Sequence, residues 1–247
     1  MNLLETKSFS IAINEYGNVD ATFACILLPG RLDTKDYINF VRHGQLLAEL
    51  GYYVISVDPP GTWESPGDID NYSTSMYIQA VYELIEKLGN RQTILLGHSR
   101  GGATAMLASK NPHVSAVILI NAAYGAPSAP NKDKMIDGYQ VESRDLPPGD
   151  KRTEEQSTFK LPLSYFEDGK KYNPTKALQE YVGPKLLIHA DKDEFTDLSE
   201  VEAIYSTISQ PKMLIELNCM HDYRLSPEAI DTANKAIEEF LRKYVSN

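Results

Sequence analysis

Residues 94–103 read ILLGHSRGGA, a short apolar run that ends in Gly-x-Ser-x-Gly and continues into helix-forming sequence. No other stretch limits the possible folds as strongly. The pattern dictates a strand, a cramped turn and a helix, with Ser99 at the apex. Such a turn strains the serine backbone, so Gly97 and Gly101, two residues to either side, must be small for strand and helix to approach each other. The hydroxyl is then held out where a substrate can meet it. Because the N–H of Arg100 lies at a helix N-terminus, a negative charge developing on a nearby carbonyl oxygen is stabilised there.

The rest of the chain must supply a scaffold for this turn. With 247 residues, 42% of them apolar, it can bury one substantial core, and no Gly/Ser-rich or Pro-rich linker divides it. A single domain with an insertion is expected. Acidic residues outnumber basic ones by 34 to 24, and the net charge of −10 argues against nucleic acid as a partner. Cys25 and Cys219 stand far apart, neither in a Cys-x-x-Cys pair, and both are expected to be buried free thiols. Residues 1–14 lack the apolar core of a signal, and no stretch approaches a membrane span, so a cytoplasmic location is the expectation. No Gly-x-Gly-x-x-Gly follows a strand, and residues 191–197 lack a metal-ligand pattern, so neither a nucleotide cofactor nor a metal is expected.

Short β-rich apolar runs at 8–13, 23–28, 53–57, 93–96, 114–120, 185–189 and 212–217 alternate with helical patterns. That alternation predicts a parallel sheet covered on both faces. Tyr37, Phe40, Val41, Leu47 and Leu50 recur at helical spacing before Gly51, as do Ile78, Val81, Tyr82, Ile85 and Leu88 before Gly89. A third helix leaves the serine turn and ends at Asn111-Pro112, and a last one opens on Ser226-Pro227. Residues 123–181 break the alternation. They are rich in Pro, Gly and charged residues without a long apolar run, and read as an insertion above the sheet, either a solvated loop region or a lid. Tyr124, Tyr139, Phe159, Tyr165 and Phe166 are its candidates for lining a pocket, and Trp63 is a candidate for bordering the substrate entrance.

A serine hydroxyl is a poor nucleophile at neutral pH and needs a histidine to take its proton and a carboxylate to orient that histidine. Among the five histidines, His221 follows an apolar strand and precedes a capped helix, which places it on a loop at the productive edge of the sheet. His189 reads as a packed strand-end residue, His43 lies within a helix, His113 just precedes a strand, and His98 supports the turn. For the acid, Asp193 on the loop after strand 185–189 is the choice, with Asp191 and Glu194 as alternatives. Asp191 suits a turn-holding role, whereas Glu194 and Asp197 suit the start of the next helix. The second oxyanion donor is expected from the Pro29-Gly30 turn, as the backbone N–H of Arg31, to act with that of Arg100.

Together, the serine turn, Gly51-Tyr52 leading to Val57-Asp58-Pro59-Pro60-Gly61, the stretch 182–190, and the order Ser99, Asp193, His221 give a chain that resembles the α/β-hydrolases over nearly its whole length. The resemblance implies the α/β-hydrolase fold, a mostly parallel central sheet with helices on both faces and a small cap or lid insertion. Core segments at 1–122 and 182–247 and a cap at 123–181 follow, with the opening antiparallel hairpin shortened. It further implies a cofactor-independent serine hydrolase that cleaves small-molecule carboxylic esters through Ser99, His221 and Asp193. A thioesterase or amidase with the same residues, or a non-catalytic ligand-binding protein, are the alternatives. Pro29 departs from the resemblance, standing where the family commonly has His before the oxyanion-loop glycine, while Ser99 matches the esterase, lipase, thioesterase and peptidase members rather than the dehalogenases and epoxide hydrolases, which carry aspartate there.

Overall fold

The structure is a computed structural model that describes residues 2–245. Its strands are β1 (Asn2–Glu5), β2 (Ser10–Tyr16), β3 (Ala24–Leu28), β4 (Tyr53–Val57), β5 (Thr93–His98), β6 (Val114–Ile120), β7 (Met135–Ile136), β8 (Tyr139–Asp145), β9 (Gln156–Pro162), β10 (Lys185–Lys192) and β11 (Lys212–Met220). Helices α1 (Ile38–Glu49), α2 (Thr74–Lys87), α3 (Arg100–Ala108), α4 (Leu163–Gly169), α5 (Pro174–Glu180), α6 (Leu198–Thr207) and α7 (Pro227–Tyr244) connect or follow them. Eight strands form one sheet in the order β1-β2-β4-β3-β5-β6-β10-β11. The β1-β2 and β2-β4 pairs are antiparallel, and every later pair is parallel. The opening hairpin is therefore present, with a first strand of only 4 residues.

Strands buried on both faces need apolar side chains at every position rather than at alternate ones, and β3, β4 and β5 are buried along their whole length. The pleat divides them between two cores. Ala24, Ile26 and Leu28 face one side, where Val81 and Leu84 of α2 and Ala105 and Met106 of α3 cover them. Cys25 and Leu27 face the other, beneath Phe40 and Leu47 of α1 and Ile230, Ile237 and Phe240 of α7. Parallel pairing brings the C-terminal ends of β3, β5, β6, β10 and β11 to one edge of the sheet, so the loops after them form a common rim. Both cysteines are buried and free. Among the described residues no helix is long and apolar enough to cross a membrane.

The segment between β6 and β10 is more ordered than its composition suggests. It carries a separate antiparallel sheet, β7-β8-β9, as well as α4 and α5. Strand β8, YQVESRD, escapes a search for apolar runs because polar side chains carry its buried positions. Gln140, Glu142 and Asp145 are all buried and satisfied by partners rather than by apolar packing. Asp145 anchors the segment to the main body. It receives Arg224 Nη2 at 2.6 Å, Gln156 Nε2 at 3.0 Å and the Thr153 N–H at 3.1 Å. Arg224 in turn lies over the Tyr37 ring, 4.6 Å from its centroid, and the Tyr37 hydroxyl donates to the Asp145 carbonyl.

Burial alone would raise the Asp145 carboxyl, but the hydrogen bonds from Arg224, Gln156 and Thr153 outweigh it and hold the group well below the usual carboxylate range. Side-chain exposures of 5% for Arg224 and 1% for Asp145 make this a buried pair, so removing one charge strands the other. Asp145→Asn is expected to lower the unfolding free energy by about 3–5 kcal/mol near neutral pH. A depressed folded-state value means the contribution is complete above the unfolded value of about 3.9 and is lost as pH falls toward the folded one. Urea denaturation of wild type and variant at a series of pH values should show a constant gap that narrows below about pH 4. A gap that stays constant in acid would contradict the pairing.

Candidate active site

At the elbow, Ser99 has φ 52° and ψ −118°, a conformation that costs a non-glycine residue energy and is held by its surroundings. A side chain at Gly97 would collide with the carbonyl of Gly101, and one at Gly101 with the carbonyl of Leu28. Strand β5, helix α3 and the end of β3 therefore meet backbone to backbone. Gly30 completes the approach, since a Cβ there would stand 3.1 Å from that of Ser99 and 2.6 Å from Asp33 Oδ2.

The loops after β10 and β11 bring two side chains to this point. Ser99 Oγ lies 3.0 Å from His221 Nε2, and His221 Nδ1 lies 2.7 Å from Asp193 Oδ2. An ionised carboxylate can only accept, so Nδ1 carries the ring proton and Nε2 is left free to accept from the serine hydroxyl. Asp193 Oδ1 accepts the N–H groups of Phe195 at 2.8 Å and Thr196 at 3.2 Å. Burial would raise the Asp193 carboxyl, yet the hydrogen bond and charge of His221 together with the Phe195 N–H draw it below its ordinary value. The group stays ionised at neutral pH. Of the alternative acids, Asp191 accepts the Cys219 N–H at 3.1 Å and Glu194 the His221 N–H at 3.1 Å. Both hold backbone on the β11 side and neither touches the imidazole nitrogens.

His221 is gripped by its main chain as well. Its carbonyl accepts Asn121 Nδ2 at 2.8 Å and faces His98 Nε2 at 3.3 Å. The other His98 nitrogen, Nδ1, lies 3.2 Å from Asp33 Oδ2. Carbonyl and carboxylate are both acceptors, so His98 satisfies both only as an imidazolium. Burial lowers its pKa, but the Asp33 hydrogen bond and charge more than offset this, and the net direction is upward. His98 thus supports more than the turn. Asn121 and Asp33 were not among the residues singled out in the sequence. Their signal is a polar side chain at or just beyond the end of an apolar strand, on the rim where such groups have no reason to be buried unless they hold something.

The Arg31 loop is positioned by two groups that sequence reading also missed. Arg144 donates Nη2 to the Arg31 carbonyl at 2.9 Å, while the Leu32 N–H donates to the Tyr72 hydroxyl at 3.2 Å. These bonds fix both ends of one peptide unit. The neighbouring Arg31 N–H, like that of Arg100, has no hydrogen-bond partner among the described residues. Both N–H groups are thus unused donors among the described residues.

The candidate pocket residues part company. Tyr165 helps line a cavity with Tyr72, Tyr77, Arg100 and Tyr172, whereas Trp63, Tyr124 and Phe166 are not among its walls. Trp63 Nε1 donates to the Leu32 carbonyl at 2.8 Å and its ring meets Phe159 edge-on. Phe166 packs edge-on against Tyr165 from within the core, and the buried Tyr124 hydroxyl has no partner among the described residues. Phe195, not foreseen, stands 72% exposed with its ring centroid 4.7 Å from that of His221. Asp36, Asp58 and Glu64 have the spacing of metal ligands, but Lys35 Nζ sits among them, 2.7 Å from Glu64 and 3.6 Å from Asp58, and supplies the positive charge.

Comparison with known proteins agrees with this architecture. A sequence model described as alpha/beta hydrolase fold matches residues 25–152, just over half of the chain. A 2-hydroxy-6-oxononadienedioate/2-hydroxy-6-oxononatrienedioate hydrolase from Klebsiella pneumoniae is 23% identical over 96% of this chain and 92% of its own. The enzyme of the same description from a Pseudomonas species is 32% identical, over 39% of this chain and 34% of its own. Among solved structures, Est1E from Butyrivibrio proteoclasticus, bound to ferulic acid, superposes with a TM-score of 0.76 at 15% identity, covering 100% of both chains. Mouse alpha/beta hydrolase domain-containing protein 10 gives a TM-score of 0.75 at 19% identity, covering 98% of both. The eight-stranded, mostly parallel sheet, the serine elbow and the family match lead to one conclusion: the chain belongs to the α/β hydrolase fold family.

Proposed function

We propose that the protein is a serine hydrolase that cleaves carboxylic esters through an acyl-enzyme. The observation that carries this reading is the continuous chain from Ser99 Oγ through His221 to Asp193, at 3.0 and 2.7 Å, beside two unused backbone donors. His221 Nε2 takes the hydroxyl proton as Ser99 attacks the ester carbonyl, and Asp193 stabilises the imidazolium that forms. The N–H groups of Arg31 and Arg100 receive the oxyanion. Protonation by His221 releases the alcohol, and water repeats the sequence on the acyl group. Residues 123–181 act as the cap over this site, tied to the oxyanion loop through Arg144, and leave the exposed Phe195 at the mouth. Thioesters and amides call on the same groups, and a panel of matched oxygen-ester, thioester and amide substrates separates them.

Turnover of para-nitrophenyl esters of graded chain length tests the reading. Ser99→Ala is expected to lower kcat by about 10⁴-fold or more with the fold retained, and His221→Ala by a similar factor. Unchanged turnover in Ser99→Ala would refute it.

His98 is assigned as a positioning residue that acts through the His221 carbonyl. Its raised pKa means the pair with Asp33 contributes stability fully below the unfolded histidine value of about 6.5 and loses it as pH rises through the folded one. Asp33, whose carboxyl is drawn down against burial by the His98 hydrogen bond, contributes above the unfolded carboxylate value of about 3.9. The stability difference between wild type and Asp33→Asn should therefore be largest between about pH 4 and pH 6.5 and shrink at higher pH. A difference that grows above neutrality would show that His98 is not the charged partner.

A further inference from the structure

Asp193 orients His221 only if Oδ2 is aimed at the imidazole, and that aim is set by the other oxygen. Oδ1 accepts the N–H groups of Phe195 and Thr196 at 2.8 and 3.2 Å, so the carboxylate is oriented by the turn that its own backbone makes over 193–196. This turn follows an irregular end of strand. The register of β10 against β11 shifts between Ala190 and Lys192, and the Asp193 N–H reaches back to the Ala190 carbonyl at 3.3 Å. A further contact is needed to tie the far end of the turn to the sheet.

His189 supplies it. The residue lies on β10 with its side chain fully buried, and Nε2 stands 2.8 Å from the Thr196 carbonyl. A carbonyl can only accept, so Nε2 carries a proton and donates. The same nitrogen is 3.9 Å from Asp193 Oδ2, beyond hydrogen-bond reach, so the bond goes to the turn rather than to the acid. Thr196 is thereby held at both backbone polar groups, its N–H by Asp193 and its carbonyl by His189. The second ring nitrogen, Nδ1, is buried and has no partner among the described residues. A leucine would fill a strand-end position without burying an unpaired polar atom, so packing alone does not account for a histidine here. The bond to Thr196 does.

We propose that His189 is a positioning residue for the acid: by holding the Thr196 carbonyl it fixes the turn over 193–196, keeps both N–H groups on Asp193 Oδ1 and leaves Oδ2 aimed at His221 Nδ1. This rests on the serine-hydrolase reading and adds a residue that acts from behind the triad. Among the described residues His189 makes no hydrogen bond to Ser99 or His221, and it works through Asp193.

A residue that works through Asp193 has a kinetic signature: its removal matters only while Asp193 is competent. His189→Leu is expected to lower kcat for a para-nitrophenyl ester by about 10- to 100-fold with KM little changed, as follows when a catalytic group is displaced by about 1 Å. The loss stays below the roughly 10⁴-fold that follows when the acid itself is disabled. His189→Gln, whose amide nitrogen reaches the same carbonyl, should recover most of it. In an Asp193→Asn background His189→Leu should add little, because the two residues act as a unit. The downfield proton NMR resonance of the His221 Nδ1–H should shift upfield or broaden in His189→Leu and return in His189→Gln. Circular dichroism checks the fold. If His189→Leu does not fold, His189→Gln is compared with His189→Asn, whose shorter amide falls short of the carbonyl. Equal losses from His189→Leu in the wild-type and Asp193→Asn backgrounds, or an unmoved Nδ1–H resonance, overturn the positioning role and leave the hydrolase reading standing. Failure of a fluorophosphonate to label Ser99 in the wild type overturns both.

Discussion

The crossing of β5 and α3 at Gly97 and Gly101 is the constraint on which the rest of this structure depends. Backbone meets backbone there with no room for a side chain, and the crossing holds Ser99 at a φ of 52° that it would not adopt in a free chain. Two consequences follow from the same contact. The hydroxyl projects from the rim of the sheet, and the first N–H of α3 has no partner among the described residues. The loop after β3, whose Arg31 N–H is the proposed second donor, is drawn against the serine by the same close packing at Gly30.

Everything else on the rim reads as a means of holding other groups in register with that fixed point. His221 is restrained at its ring by Asp193, at its N–H by Glu194 and at its carbonyl by Asn121 and His98. Asn121, itself at a φ of 43°, also accepts the Ala190 N–H at 2.8 Å, so one side chain bridges the loop that bears the histidine and the strand that leads to the acid. Such polar groups remain buried because each has its partners, and a half-satisfied network would be costly. The charged groups of the insertion serve the same end from above. Arg144 fixes the peptide that follows Arg31, and the Asp145–Arg224 pair fixes the insertion to the segment just after His221.

How much of this is legible in the sequence depends on whether a local pattern carries it. The buried strands are legible because β3, β4 and β5 are mostly apolar runs, and Ser99, Asp193 and His221 because they follow the apolar stretches of β5, β10 and β11. Strand β8 is not, since Glu142 and Asp145 are buried by pairing with the distant Arg31 and Arg224, which no window of sequence reveals. The same holds for the pocket. Tyr165 and Phe166 are neighbours buried in the same apolar cluster, yet only Tyr165 reaches the cavity wall.

Covalent trapping tests the central claim most directly. Intact-protein mass spectrometry after treatment with a fluorophosphonate, followed by peptide mapping, should show a single adduct on Ser99, formed far more slowly in His221→Ala. No adduct, or an adduct elsewhere with Ser99 unmodified, would contradict the account.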